Sequence, residues 1–97
     1  MATYIMLGNF TDQGVRSFKD TTRRAEAFRE QARKLEVTVK DIYWTLGKHD
    51  VITILEAPDQ ATVTALALNL CGAGNVRTET FPAYSAAEMN KILSKIA

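Results

Sequence analysis

One cysteine, two prolines, five glycines and one histidine are all that this 97-residue chain holds of those types. The lone Cys71 excludes an intramolecular disulfide, and with His49 as the single histidine no tetrahedral Cys/His metal site can form within one chain. Charge of one sign is also missing. Twelve basic against eleven acidic residues leave a net charge of +1, so nothing draws the chain as a whole to nucleic acid. A disordered chain is excluded too, because 46% of the residues are hydrophobic. No apolar run approaches the roughly 20 residues that span a bilayer. Met1-Ala2-Thr3-Tyr4 carries no positive charge ahead of its apolar stretch, unlike a secretory leader. These absences predict one domain over residues 1–97 in the cytoplasm, with no metal, cofactor, nucleic acid or membrane as partner.

What is present reads as alternating strands and helices. Thr3 to Leu7 is a short apolar, β-favouring run closed by Gly8-Asn9, and predicts a first strand. Thr11-Asp12-Gln13-Gly14 reads as a helix start, with Val15 and Phe18 three apart on one face. Asp20-Thr21-Thr22 then either caps a second helix or kinks a single long one. From Arg23 to Leu35, the residues Ala25, Phe28, Ala32 and Leu35 recur at helical spacing. Val37 to Leu46 and His49 to Leu55 are β-branched and aromatic runs joined at Gly47-Lys48, a hairpin-sized connection. Ala57-Pro58-Asp59 stops the strand and supplies a cap. A helix from Gln60 to Cys71 follows, with Val63, Leu66, Ala67 and Leu70 on one stripe and Gly72 and Gly74 at its end. Val76 to Phe81 alternates as a fourth strand. Ser85 and Glu88 then have capping-box spacing ahead of a terminal amphipathic helix bearing Met89, Ile92, Leu93 and Ile96.

The order β-α-β-β-α-β predicts an α+β, ferredoxin-like domain: a four-stranded antiparallel sheet, helices on one face, and an extra C-terminal helix. A sheet with one wet face should alternate polar and apolar residues. Tyr4-Ile5-Met6-Leu7 and Val51-Ile52-Thr53-Ile54-Leu55 are instead apolar at nearly every position. The second face is therefore expected to be an apolar patch that another copy of this chain covers. The terminal helix is the other available cover.

Around the hairpin the chain resembles the GYD domain family of small bacterial and archaeal proteins. The resemblance rests on Ile5-Met6-Leu7-Gly8-Asn9-Phe10-Thr11, Tyr43-Trp44-Thr45-Leu46-Gly47, Asp50-Val51, Glu56-Ala57-Pro58-Asp59 and Gly74-Asn75-Val76-Arg77-Thr78-Glu79-Thr80. It covers nearly the whole chain in order. One departure stands out: Gly47-Lys48-His49-Asp50 replaces the family's Gly-x-Tyr-Asp, so His49 either substitutes for that tyrosine or the tyrosine's role is lost. The resemblance implies a ferredoxin-like subunit in a dimeric α/β-barrel assembly, and no established activity.

Reactive side chains are few. His49 is the candidate catalytic residue, since imidazole titrates near neutral pH. Adjacent strand residues face opposite sides, so Asp50 is poorly placed to orient it and more simply bonds turn amides. Tyr43 and Trp44 also face opposite sides, one towards the helices. Arg77 and Glu79 share a face of the fourth strand, where Arg77 either clamps an anion or pairs with Glu79 or Glu56; the ion pair is the expectation. Tyr43, Trp44, His49, Arg77 and Glu79 form the candidate ligand-binding set. Cys71, at a helix end that disfavours a thiolate, reads as a small buried hydrophobe. Gly72-Ala73-Gly74 leads from helix to strand, the reverse of a phosphate loop. The basic residues from Arg16 to Lys34 are interspersed with acids and read as a solvated face with a Glu30–Lys34 pair.

A non-catalytic oligomeric module, with a pocket for a small molecule, needs only these features. The alternative is an isomerase- or monooxygenase-like enzyme acting on a small cyclic or aromatic compound. That alternative rests on analogy with dimeric α/β-barrel proteins. A regulator with an effector pocket would need a separate DNA-binding partner.

Overall fold

The computed structural model describes residues 1–96. Four strands, β1 (Ala2–Phe10), β2 (Thr38–Trp44), β3 (Val51–Ala57) and β4 (Val76–Ala83), form one antiparallel sheet in the order β2-β3-β1-β4. Between β1 and β2 lie α1 (Asp12–Arg16), a 3-10 turn (Phe18–Asp20) and α2 (Thr21–Lys34). Helix α3 (Gln60–Gly72) connects β3 to β4, and α4 (Ala86–Leu93) follows β4. This is the expected β-α-β-β-α-β order with its C-terminal helix.

The core lies between the sheet and α2 and α3. Tyr4 and Met6 from β1 and Leu55 and Ala57 from β3 meet Phe28, Ala32, Val63 and Leu66 from the helices. Leu55 and Leu66 are fully buried. The alternation of β1 explains the arrangement: Tyr4 and Met6 go inward, Ile5 and Leu7 to the other face.

Several element limits differ from those expected, each for a physical reason. β1 runs through Gly8-Asn9 to Phe10 because it is central, with ladders to β3 and β4 on its two sides. A Cβ at Gly8 would stand 2.6 Å from Val51 Cγ1, so the glycine admits its neighbours rather than ending the strand. β2 stops at Trp44 and β3 begins at Val51, which leaves His49 and Asp50 in the connecting loop. α2 starts two residues before Arg23, at Thr21, after the 3-10 turn has redirected the chain. Val15 and Phe18 are exposed and belong to no core. Glu30 pairs with Arg33 at 2.8 Å, where Lys34 was expected. That guanidinium holds the Glu30 carboxyl below its ordinary range.

Both sheet edges are irregular. β2 has a register shift between Val39 and Asp41, and β4 continues past Phe81 through Pro82, which has no N–H. α4 begins with the expected capping box: Ser85 Oγ accepts from Glu88 N–H and the Glu88 carboxylate accepts from Ser85 N–H. It does not cover the sheet's second face. Met89, Ile92 and Leu93 of α4, and Ile96 beyond it, are all exposed.

Asp59 caps α3 by accepting from both the N–H and the hydroxyl of Thr62 at 2.8 Å. The Thr62 N–H, followed by its hydroxyl, lowers the carboxyl's pKa. A depressed carboxyl contributes stability above its unfolded pKa and loses it as the pH falls through the folded one. The melting temperature should therefore drop as the pH falls below about 4. Asparagine caps as well as aspartate. Asp59→Asn is expected to melt at or below wild type at pH 6, and to lose that deficit at pH 3. Parallel melts at the two pH values check it.

Candidate functional site

The sheet has two unlike faces. On the face away from α2 and α3, Ile5 pairs with Ile54 on one side and Phe81 on the other. The next row joins Leu7 to Ile52 and Glu79, and Tyr43 of β2 extends it past Ile52. Directly paired residues share a face, so Ile5, Leu7, Ile52, Ile54, Tyr43 and Phe81 form one contiguous apolar surface. Tyr43 is 55% exposed and Phe81 43%. Charge rims this surface: the Asn9–Arg77 row closes one end and the Thr3–Glu56 row the other.

The hairpin loop is organised by Asn9. Its Nδ2 donates to the Lys48 carbonyl at 2.8 Å, and its Oδ1 lies 2.8 Å from His49 Nδ1. Because Oδ1 accepts, the ring nitrogen facing it carries the proton. Asp50 bonds backbone, as expected: Oδ2 accepts from Phe10 N–H at 2.8 Å, and its own N–H donates to the Gly8 carbonyl at 2.9 Å. His49 is thus oriented by Asn9, not Asp50, and sits at the rim of the open face.

The helix side of the sheet holds a cavity of about 200 Å3. Met6, Gly8, Val51, Thr53 and Thr78 form its floor, and Ala25, Phe28 and Leu70 come from the helices. Trp44 lines one side, its indole N–H donating to Thr21 Oγ1 at 2.9 Å. Arg24 borders the opening, but its guanidinium donates to the carbonyl and hydroxyl of Ser17 and stacks 5.9 Å from the Phe10 ring. Of the five candidate ligand residues, Trp44 alone lines this cavity. Tyr43, Arg77 and Glu79 lie on the open face, and Arg77 also borders a groove between α3 and β4. Tyr43 and Trp44 separate as the alternation requires.

The expected ion pair of Arg77 with Glu79 or Glu56 is absent: among the described residues the salt bridges are Arg23–Asp20 and Arg33–Glu30. Residues 77 and 79 stand two apart along an extended strand, which holds their charged ends apart. Cys71 is half-buried, its Sγ 3.4 Å from Thr78 Oγ1. Among the described residues no three His, Cys, Asp or Glu side chains gather into a metal site, and no helix is long and apolar enough to cross a membrane. Two residues escaped the sequence reading. Asn9 looked like a strand end, and Thr53 passed as one of an apolar run. Thr53 had a signal, since it shares the parity of Val51 and Leu55 and is the polar member of that inward row.

Known proteins match this geometry in fold and sequence. By structure the chain resembles the Mycobacterium tuberculosis leucine response regulatory protein (LrpA), with a TM-score of 0.65 at 15% identity. It also resembles MtbAldR, with a TM-score of 0.59 at 16% identity. Those alignments cover 88% and 87% of this chain but only 51% and 53% of the two larger ones, and they bear on fold alone. By sequence, a Thermus thermophilus protein named glutamine synthetase and cystathionine beta-lyase binding protein is 36% identical over 90 residues. That match covers 92% of this chain and 95% of the relative. The family model described as the GYD domain matches residues 4–93, and the chain belongs to that family.

Proposed function

We propose that this chain is a non-catalytic docking module of the cytoplasm, working as a pair of identical subunits packed sheet to sheet. The observation that carries the reading is the contiguous apolar surface of Ile5, Leu7, Ile52, Ile54, Tyr43 and Phe81. Burying apolar area of this kind drives most association. Charge suits self-pairing. Arg77 lies at one end of the face and Glu56 at the other, so a twofold axis crossing the strands brings the Arg77 end of one copy against the Glu56 end of the next. In this reading Tyr43, Arg77 and Glu79 are interface residues, and His49 orders the rim through Asn9.

The docking part rests on the Thermus thermophilus relative, whose name states that it binds two enzymes. We take a metabolic enzyme as the partner class here. Catalysis has less support, because His49, the candidate acid–base residue, lines neither the cavity nor the groove beside α3. Native mass spectrometry, of the protein alone and mixed with glutamine synthetase, tests both parts. Two chains in the free particle and a further complex with the enzyme are expected. A single-chain mass at micromolar concentration would overturn the pairing, and no complex would remove the partner class.

A further inference from the structure

We propose that the cavity between the sheet, α2 and α3 is a binding site for a neutral single-ring molecule carrying one small polar substituent. The site lies on the opposite side of the sheet from the paired face, so it does not depend on pairing. Its space comes from the sequence. The large buried side chains Leu55, Val63 and Leu66 fill the other end of the helix–sheet layer, whereas Gly8, Ala25 and Ala73 line this end. Packed interiors leave few voids larger than a water molecule. This space of about 200 Å3 opens to solvent past Gln31 and Asn69, so a small molecule can enter it. An apolar cavity of roughly 150 Å3 takes benzene, which sets the size class at one ring with a small substituent.

Chemistry narrows it further. Thr53, only 5% exposed, is the polar member of the inward row of β3 and lines this cavity. Its hydroxyl is a donor and acceptor set among mostly apolar lining groups. A ligand hydroxyl or amide placed there pairs with that hydroxyl. Gln31 and Asn69 stand exposed at the rim from the two helices and offer adaptable amides to the same substituent. A charged ligand fits poorly. The one ionisable lining residue is Arg24, whose guanidinium is committed to Ser17 and to the face of Phe10. Trp44, pinned by Thr21, supplies the aromatic wall against which a ring stacks.

Trp44 is the chain's single tryptophan, so its fluorescence reports on this cavity directly. The test titrates phenol, toluene and benzoate into wild type, Thr53→Val and Ala25→Leu, with amide-resonance shifts mapping each ligand. Phenol is expected to act saturably and to shift residues of β3, α2 and α3. Thr53→Val keeps the shape and should weaken phenol by roughly fivefold while leaving toluene unchanged, the loss expected for one hydrogen bond. Ala25→Leu, at a half-buried helix position, should fill the space and abolish both. Non-saturating quenching equal in all three proteins would overturn the site. Benzoate binding more tightly than phenol would overturn the neutral ligand class. A single-chain mass leaves this site standing, and a failed phenol titration leaves the pairing standing.

Discussion

Lysine in place of Ile5 is expected to leave the chain folded and to separate the pair into single subunits. Ile5 lies at the centre of the open face, on the central strand, with Ile54 and Phe81 as its cross-strand partners. It points away from the core that Tyr4 and Met6 enter, so the subunit keeps its internal packing. In the proposed pair, the ammonium would be buried among the apolar side chains of both copies. An uncompensated buried charge costs several kcal/mol. A loss on the order of 3 kcal/mol raises the dissociation constant about a hundredfold. Ile54 is the weaker choice, because Asp41 is its direct neighbour on β2 and would neutralise a lysine. Sedimentation of wild type and Ile5→Lys over a concentration series measures the effect, with circular dichroism to verify the fold. A variant that sediments as wild type would mean that the apolar face is not where the copies meet.

The second large effect is on stability and comes from a residue with no side chain. Gly14 is buried in α1 against the turn before β4, and a Cβ there would stand 2.0 Å from the Asn75 carbonyl oxygen. The obstacle is backbone, and it is tied down. Thr11 N–H donates to the same carbonyl at 3.1 Å, the Thr11 hydroxyl donates to the Gly74 carbonyl, and Gln13 Nε2 donates to the Ala73 carbonyl at 3.1 Å. An alanine must push α1 off this junction and strain or break those bonds. Overpacking costs about 1–3 kcal/mol, and the lost bonds add to it. Gly14→Ala should therefore lower the melting temperature by well over 10 °C, at roughly 4–8 °C per kcal/mol for a domain this size. Gly72→Ala is the matched control. Nothing lies within 4 Å of a Cβ at Gly72, in the last turn of α3, so that variant should melt at or slightly above wild type. If both glycine variants melt together, the Asn75 turn yields freely and α1 is not fastened there.

Gly14 also shows where a sequence stops being readable. The helix start at Thr11 was legible because a cap is local: Thr11 Oγ1 accepts from Gly14 N–H three residues on. The reason for the glycine lies in Asn75, far along the chain, and no spacing rule reaches that far. The same division holds elsewhere. Element order, the Asp59 cap and the Ser85–Glu88 box follow from periodicity and neighbouring side chains, and all are present. The apolar second face was legible as missing alternation in β1 and β3, because strand parity alone assigns Ile5, Leu7, Ile52 and Ile54 to one side. The candidate site was legible only in part. Trp44 faces the helices and Tyr43 does not, which parity permits, but the cavity itself arises from Gly8, Ala25 and Ala73 meeting from three segments. Thr53 faces that space, and only packing makes its hydroxyl notable. His49 owes its orientation to Asn9, forty residues away, a partner that only the folded hairpin reveals.

The irregular edges of the sheet have a consequence for growth. Edge strands offer unpaired backbone groups on which further chains can polymerise. Here the shift at Lys40 breaks the pattern along β2, and Pro82 removes a donor from β4. Neither border presents a continuous template for a fifth strand. In the proposed pair, a single contact across the layers would consume the apolar surface and terminate. Edge-to-edge growth, the ordinary hazard of a small open sheet with a greasy side, is thus hindered by one register shift and one imino acid.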